Sequence, residues 1–483
     1  MQIKLQNIGI IRDSTIALDG LTVITGKNNS GKSTVGKTLY ALLEGVSFLR
    51  TRAQSDQTSY IRKRLDSIEN ILSEGLFYGE VEPDHWFTNQ PALRRIIFEP
   101  INWDEWQRDD LEQFAHSLEQ ELKELSPSSL ESLHFNHRVM RVDSETGQLV
   151  TEEVSMKDAF MDRLTDVRDI LEQMFVDLQK DPDLIDYARE SVNQTLRVEF
   201  SSQIQPVKAP GVISEVNLSD NDGSPYLHFS VVNNSIVNDG NRIFFSSPCK
   251  RVFMIDDPFI LDTAPGRTVY RSASQETLLN MARIQPHNYK LRQTLRSSSS
   301  VSVFEQTLLN DSLQFVKEQI DRVLPGTFEF SPVGDYYVQD GAKIKTVNLA
   351  TGSKMFSILK ILLEKGRLDK DTMLILDEPE AHLHPKWQNA FAEVIVLLVK
   401  RLDVNILLTT HSPNFMLALD AYMRKYELNQ KTNFYQTVPK EDGFVSYRCV
   451  NDDLGAIYDD FLQYLSQVKL LRDQYLYGKE GAQ

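Results

Sequence analysis

Cysteine, long apolar runs and export signals are all scarce in this sequence. Only Cys249 and Cys449 occur among its 483 residues, so no disulfide framework is expected and a reducing cytoplasm is the predicted location. The longest apolar stretches, such as VIVLLV at 394–399, are far too short to span a bilayer. The first residues, MQIKLQNIGI, lack the basic and apolar regions of a signal peptide. We therefore expect no membrane partner.

Net positive charge is also missing. The formal charge of −16 excludes a general attraction of the whole chain to nucleic acid. A local cluster, Arg62, Lys63 and Arg64, is nevertheless a candidate for contacting DNA or RNA phosphates. The alternative for such a cluster is an ordinary solvated surface.

One loop pattern stands out against this background. Residues 26–34 read GKNNSGKST, follow the apolar run LTVIT, and fit the pattern G-x-x-x-x-G-K-[ST]. Glycines let backbone N–H groups turn toward an anion, and a helix that begins at the loop adds its positive end. In such a loop Lys32 reaches the β- and γ-phosphates, and the Ser33 hydroxyl binds magnesium. The predicted nucleotide-binding residues are Gly26, Asn28, Asn29, Ser30, Gly31, Lys32, Ser33 and Thr34.

A second set of polar residues lies far downstream. The segment TMLILDEPEAHLHP predicts a buried strand that ends in Asp377 and Glu378. Adjacent carboxylates at such a place are costly unless a cation or a substrate engages them, which predicts Asp377 as a magnesium ligand and Glu378 as the group that polarises water. After one predicted helix, the strand VNILLTT ends at His411, a candidate sensor of the γ-phosphate.

Together, Lys32, the Asp377–Glu378 pair and His411 resemble an ABC-type ATPase head, and DEPEAHLHP and TTHSP are similar to its RecF, SMC and overcoming-lysogenization-defect branch. The resemblance implies an α/β fold: an ABC-type P-loop ATPase head with a mixed sheet, an antiparallel β layer and a helical insertion. It also implies ATP and Mg²⁺ as cofactors. In such proteins a signature sequence from a second subunit covers the γ-phosphate.

The segment NLATGSKMFSILKILL resembles that signature. Leu349 and Gly352 fit it, while Ala350 replaces the usual serine and Thr351 a glycine, a departure that favours slow hydrolysis. The alternative is that Thr351 and Ser353 merely cap the following helix. The residues assigned to the signature, acting in trans, are Leu349, Thr351, Gly352, Ser353 and Lys354.

The resemblance also implies a glutamine that contacts magnesium after a strand of the antiparallel layer. Gln203 and Gln205, in VEFSSQIQPV, are the two candidates, and the sequence does not distinguish them. Either one could equally be an ordinary polar loop residue.

Hydrophobic spacing divides the chain into a split head and an insertion. We expect residues 1–44 and 194–483 to form the ATPase head, and 45–193 to form a mainly helical insertion. Residues 196–261 are predicted to be rich in strands, with a hairpin turn at Asp222–Gly223, and residues 268–323 to be helical.

This plan resembles the ATPase subunits of bacterial anti-phage systems. Septu-type ATPases, partnered with an HNH nuclease, are the first choice, and PARIS-type ATPases, partnered with a Toprim nuclease, are the second. The segment from Ser412 to Gln483 is too short for the nuclease domain that some relatives carry, so a separate effector is expected, together with self-association. The alternative is a RecF- or SMC-like repair ATPase that binds DNA directly.

Overall fold

The computed structural model describes residues 1–73, 89–125, 136–142, 149–155, 157–180, 183–237, 242–243, 248–262, 286–297, 313–331 and 334–477. The chain divides into two compact units. The first combines Met1–Ser47 with Ala188–Gln483, and the second is Phe48–Tyr187.

The bounds of the secondary structure are as follows. The strands are β1 (Gln2–Ile8), β2 (Ile11–Ala17), β3 (Leu21–Thr25), β4 (Asn136–Val142), β5 (Leu149–Ser155), β6 (Ser214–Ser219), β7 (Pro225–Val232), β8 (Ser235–Ile236), β9 (Arg242–Ile243), β10 (Arg251–Ile255), β11 (Thr327–Ser331), β12 (Gly334–Gln339), β13 (Ala342–Lys345), β14 (Thr372–Asp377), β15 (Asn405–Thr410), β16 (Thr432–Pro439) and β17 (Val445–Cys449). The α-helices are α1 (Lys32–Val46), α2 (Leu49–Ser73), α3 (Pro91–Phe98), α4 (Arg108–Glu124), α5 (Lys157–Leu178), α6 (Leu184–Glu199), α7 (His287–Arg296), α8 (Thr351–Glu364), α9 (Pro385–Leu402), α10 (Pro413–Lys425) and α11 (Gly455–Tyr477).

A large mixed sheet organises the first unit. Its order is β10-β14-β15-β3-β16-β17-β2-β1-β6-β7-β8, with β9 paired to β7. The strands from β10 to β16 are parallel, whereas β2, β1, β6 and β7 pair antiparallel. The predicted α/β class, the mixed sheet and the antiparallel layer are therefore confirmed, as is the hairpin at Asp222–Gly223 between β6 and β7.

The parallel half of the sheet is buried on both faces, because helices cover it. All five residues of β3 are buried, and β3, β14 and β15 match the strands predicted from their apolar runs. The helices α8, α9 and α10 pack there through aromatic side chains: the ring of Phe391 lies 5.1 Å from Phe356 and 6.2 Å from Phe415.

The second unit has its own core. The apolar faces of α4 and α5 are buried in one cluster that also includes residues of α2 and α3. The insertion is predicted to be mainly helical, and the described part of this unit also contains one antiparallel hairpin, formed by β4 and β5.

The predicted start of the strand-rich region at Leu196 is wrong, because α6 continues to Glu199. Ala188, Val192 and Leu196 are buried at a four-residue spacing, and the burial of this helical face overrides the strand preference of nearby β-branched and aromatic residues. The predicted helix at 268–323 falls largely outside the described residues; within them lie α7 and a further helix at residues 313–321.

None of the described helices is both long enough and apolar enough to cross a bilayer.

A pair of matched substitutions on α10 tests the core. Leu419 is fully buried, whereas Leu417 is 56% exposed. Leu419→Ala should lower the free energy of unfolding by about 2–5 kcal/mol, because it removes buried methyl groups and leaves a cavity. Leu417→Ala should change it by less than about 0.5 kcal/mol. Denaturant titration of both variants checks this, and equal effects would contradict the placement of α10.

Candidate nucleotide-binding site

The loop between β3 and α1 is shaped by glycines. Gly31 has φ of 76° and immediately precedes the first residue of α1, so it occupies the left-handed region that favours glycine. At Gly26 a Cβ atom would lie 2.0 Å from Oγ1 of Thr437, so no larger residue fits without displacing β16. These constraints fold residues 26–31 into a tight turn that directs the start of α1 to the edge of the sheet, as the sequence predicts.

The side chain of Lys32 is buried inside this turn. Its Nζ donates hydrogen bonds to the carbonyl oxygens of Gly26 (2.9 Å) and Lys27 (3.0 Å). It also lies 3.1 Å from Oε1 of Glu378, and the lysine side chain is only 4% exposed. The loop therefore presents a preformed positive charge, and a carboxylate from a distant part of the sequence partly neutralises it.

Glu378 also contacts His411. Oε2 of Glu378 lies 2.9 Å from Nδ1 of His411, so the carboxylate stands between the lysine and the imidazole. The backbone of Glu378 has φ of 49°, and its N–H donates to the carbonyl and the hydroxyl of Thr409, each at 3.1 Å. This strained turn is what directs the glutamate toward Lys32.

Asp377 is fixed by the neighbouring strand. It is level with Thr409 in the parallel pairing of β14 and β15, and the Thr409 hydroxyl donates a hydrogen bond to its Oδ1. Because the carboxyl ends of β3, β14 and β15 meet at one edge, Lys32, Asp377, Glu378 and His411 come together there, in agreement with the order of the motifs.

A cavity of about 900 Å³ opens at this edge of the sheet. Its lining includes most of the residues assigned from the sequence: Asn28, Asn29, Ser30, Gly31, Lys32, Ser33, Thr34, Gln203, Gln205, Thr351, Gly352, Asp377 and Glu378. Gly26 and His411 line a separate cavity of about 590 Å³, to which Asn28 and Ser30 also contribute. The phosphate loop thus lies between two cavities.

The two candidate glutamines differ. Gln205 is buried, and its amide nitrogen donates to the carbonyls of Val212 and Val231 (3.0 Å for the latter) while its Oε1 accepts from the N–H of Asn234 (2.9 Å). These contacts tie a loop to β7 and make Gln205 a structural residue. Gln203 is exposed at the rim of the cavity. Both follow α6 rather than a strand, so that part of the prediction is wrong.

The signature segment also needs a correction. Thr351 and Gly352 begin α8 and line the same cavity as the phosphate loop of their own chain. Lys354 does not face the cavity: its Nζ lies 2.7 Å from Oδ2 of Asp262 and 3.2 Å from the carbonyl of Val347, and the residue is 2% exposed. Because the Lys354 ammonium is neutralised by Asp262 of the same chain, Lys354 is removed from the set of predicted phosphate contacts. Ser353 is buried, and Leu349 packs against the hydrophobic core.

Glu380 is a further residue of the site that the sequence interpretation missed. It is 2% exposed; it accepts a hydrogen bond from the Thr410 hydroxyl, and the N–H of His411 donates to its Oε1 at 3.3 Å. Burial raises the pKa of the Glu380 carboxyl, and the hydrogen bond from Thr410 opposes this shift only in part. Glu380 thus fixes the backbone from which His411 projects. The only signal in the sequence is a third acidic residue in DEPE.

The residues at the cavity suit magnesium with a polyphosphate. Ser33 offers a hydroxyl and Asp377 a carboxylate, the oxygen donors that Mg²⁺ prefers. Within the described part of the chain no three His, Cys, Asp or Glu side chains group as metal ligands. Such a sparse set is what Mg²⁺ uses when phosphates and water complete its shell.

The basic cluster at 62–64 is partly used in packing. Nη2 of Arg62 donates to the carbonyl of Trp106 at 2.7 Å, and the guanidinium of Arg64 lies 5.0 Å from the ring centre of Tyr60. Lys63 is exposed. The side chains of Arg62 and Arg64 therefore make contacts within the second unit.

The fold and the site define a P-loop nucleotide-binding protein. The chain belongs to the family described as "AAA domain, putative AbiEii toxin, Type IV TA system", whose match spans residues 21–418. ATP binding and P-loop ATPase activity are thereby supported at the level of the family. No curated protein matches the chain.

Solved structures with a similar arrangement include SMC heads. One is the SMC head domain from Thermotoga maritima, at 12% identity, covering 93% of this chain and 98% of that one, with a TM-score of 0.32. Another is the Smc head domain with an extended coiled coil, bound to the C-terminal domain of ScpA, from Pyrococcus furiosus, at 10% identity, covering 97% and 98%, with a TM-score of 0.36. Likenesses this loose carry no inference about function.

Glu380→Gln tests the buried carboxyl. Because the pKa of Glu380 is raised in the folded state, its contribution to stability is complete below its ordinary pKa of 4.5 and is lost as the pH rises through the raised value. The parent should therefore lose stability relative to the glutamine variant as the pH rises from 4.5 to 8. The loss should be about 1.4 kcal/mol for each pH unit by which folding raises the pKa of Glu380. Denaturant unfolding at several pH values measures the difference, and identical pH profiles would contradict it.

Proposed function

We propose that the chain binds ATP with Mg²⁺ at the phosphate loop, hydrolyses it slowly, self-associates, and controls a separate effector nuclease in anti-phage defence. The observation that carries the nucleotide site is the buried ammonium of Lys32, held inside the glycine turn and facing Glu378 at 3.1 Å. A triphosphate offers this cation more negative charge than a single carboxylate does.

Each residue then has a role that follows from its position. Lys32 exchanges its contact with Glu378 for the β- and γ-phosphates, which frees the carboxylate to polarise a water molecule. Ser33 and Asp377 would hold the magnesium ion, which would neutralise phosphate charge. His411 keeps Glu378 in place from the other side at 2.9 Å. Glu380 in turn fixes the backbone of His411.

Self-association would complete the site. Thr351 and Gly352, at the start of α8, offer backbone N–H groups and a helix end of the kind that binds anions. In the proposed dimer or higher homo-oligomer, these groups cover the γ-phosphate held by a second copy. Their position on the cavity of their own chain makes action within one chain the competing arrangement.

The role beside an effector rests on the family and on the resemblance to Septu-type ATPases. The family description names a toxin–antitoxin system, a class of two-component systems, and this is compatible with a chain whose activity is tied to a second gene product. An HNH nuclease is the first choice for that partner and a Toprim nuclease the second. Purification of the tagged chain from its native host tests this: a bound nuclease supports it, and nucleotide-dependent binding of DNA without any partner would favour the RecF-like repair function instead.

Lys32→Ala should abolish nucleotide binding, because it removes the cation at the centre of the loop. Glu378→Gln should keep ATP bound and slow its hydrolysis by about 10²–10⁴-fold, the usual contribution of a general base. Equilibrium binding of a fluorescent ATP analogue and phosphate release measure the two effects. Lys4→Ala, at an exposed position on β1, is the control. Unchanged ATP affinity in Lys32→Ala would refute the site.

Mixing two inactive variants separates the arrangements in trans and within one chain. Lys32→Ala removes the phosphate loop, and Thr351→Glu places a negative charge where the start of α8 should meet phosphate. When both variants are co-expressed with different tags, a mixed dimer contains one site with both halves intact. It should regain about half of the parent's hydrolysis rate per dimer. If the mixed dimer forms and stays inactive, the site is not shared between copies.

A further inference from the structure

Asp256 is an acidic residue that none of the assigned motifs includes. It directly follows β10 and is level with Asp377, the last residue of β14. The strands β10 and β14 are parallel neighbours, with Ile255 level with Leu376. The next residues, Asp256 and Asp377, therefore leave the sheet at the same level. Both line the 900 Å³ cavity that also contains Lys32 and Ser33. A second carboxylate is thus built into the edge where the nucleotide is proposed to bind.

A buried histidine holds Asp256 in place. Nε2 of His287 lies 2.9 Å from Oδ1 of Asp256, an electrostatic contact whose angles do not make a hydrogen bond. Nδ1 of the same ring lies 2.6 Å from Oε2 of Glu199, and the backbone N–H of His287 donates to Oε1 of Glu199 at 2.9 Å. The side chains of His287 and Glu199 are 6% and 2% exposed. The imidazole therefore holds Asp256 against a rigid buried support.

Asp256 itself stays accessible. Its side chain is 24% exposed, in contrast to the buried residues behind it. It therefore presents a carboxylate of fixed position at the rim of the 900 Å³ cavity.

The other candidates for a second magnesium ligand, Gln203 and Gln205, are weaker. The side chain of Gln205 is used in hydrogen bonds to backbone groups, and Gln203 is an exposed amide on a loop. A carboxylate is the ligand that Mg²⁺ takes most readily from a protein, directly or through one of its waters. Building on the proposed ATP site, we propose that Asp256 is a second protein ligand of the magnesium ion that accompanies the nucleotide, positioned by His287 and Glu199.

The test uses the full chain and measures how much magnesium nucleotide binding requires. A fluorescent ATP analogue is titrated with MgCl₂, and its affinity is also measured in EDTA. Asp256→Asn should raise the magnesium concentration at half-saturation at least tenfold, while the affinity in EDTA stays within about twofold of the parent. Asp257→Asn is the matched control: this adjacent aspartate accepts a hydrogen bond from the N–H of Phe259 at 2.8 Å and does not line the cavity. It should behave like the parent.

Two further measurements extend the test. Asp256→Glu keeps a carboxylate, so it should need less magnesium than Asp256→Asn. Because its longer side chain displaces the carboxylate, it should also need more magnesium than the parent, and this comparison holds even if Asp256→Asn is unstable. The electron paramagnetic resonance signal of Mn²⁺ with the nucleotide should change in Asp256→Asn and not in Asp257→Asn. Equal magnesium requirements in the parent and Asp256→Asn, or in Asp256→Asn and Asp256→Glu, would overturn the assignment. Loss of nucleotide binding by the parent itself would instead refute the ATP site.

Discussion

A buried lysine that is paired with a single, partly exposed carboxylate is the constraint on which this site depends. Moving an ammonium group out of water is costly unless nearby dipoles and charges compensate it. Here two loop carbonyls and one carboxylate surround the Nζ of Lys32. A polyphosphate can replace the carboxylate at little cost, because the loop is already folded and the cation is already in position. The preformed turn, rather than any single contact, makes this edge of the sheet a phosphate site.

The sheet brings the residues that surround Lys32 together from distant segments of the chain. β15 lies between β3 and β14, so the end of β3 meets the ends of two strands that lie hundreds of residues further along the chain. Glu378 arrives from one strand and His411 from the next, and each contacts the other within 3 Å. The second compact unit, Phe48–Tyr187, interrupts the sequence between these segments and has its own core. The site can therefore form in the first unit even though its residues are widely separated along the chain.

Local patterns predicted most of this arrangement because the relevant information is local. A glycine-rich loop after an apolar strand, or a carboxylate pair that ends one, specifies both an element and its chemistry, so β3, β14, β15 and the residues after them are where the sequence indicates. Lys354 and Gln205 could not be interpreted in the same way. Their roles depend on partners contributed by other elements, Asp262 for the lysine and β7 for the glutamine.

The sequence interpretation missed Asp256 and Glu380 for the same reason: their positions depend on contacts with residues that are far away in the chain. In the sequence Asp256 is one acidic residue among many, and Glu380 is marked only as a third acidic residue in DEPE. The parallel register of β10 with β14 brings Asp256 level with Asp377, and the end of β15 brings Thr410 and His411 onto Glu380. Only strand pairing, which joins residues that are far apart in the chain, reveals these groups.

The most direct measurement is the structure of the Glu378→Gln variant bound to ATP and Mg²⁺. We expect the phosphates to lie in the turn from Gly26 to Ser33, the ammonium of Lys32 to contact the β- and γ-phosphates, and residue 378 to have moved away from it. A nucleotide bound elsewhere on the chain, with Lys32 still turned toward residue 378, would contradict the proposed site.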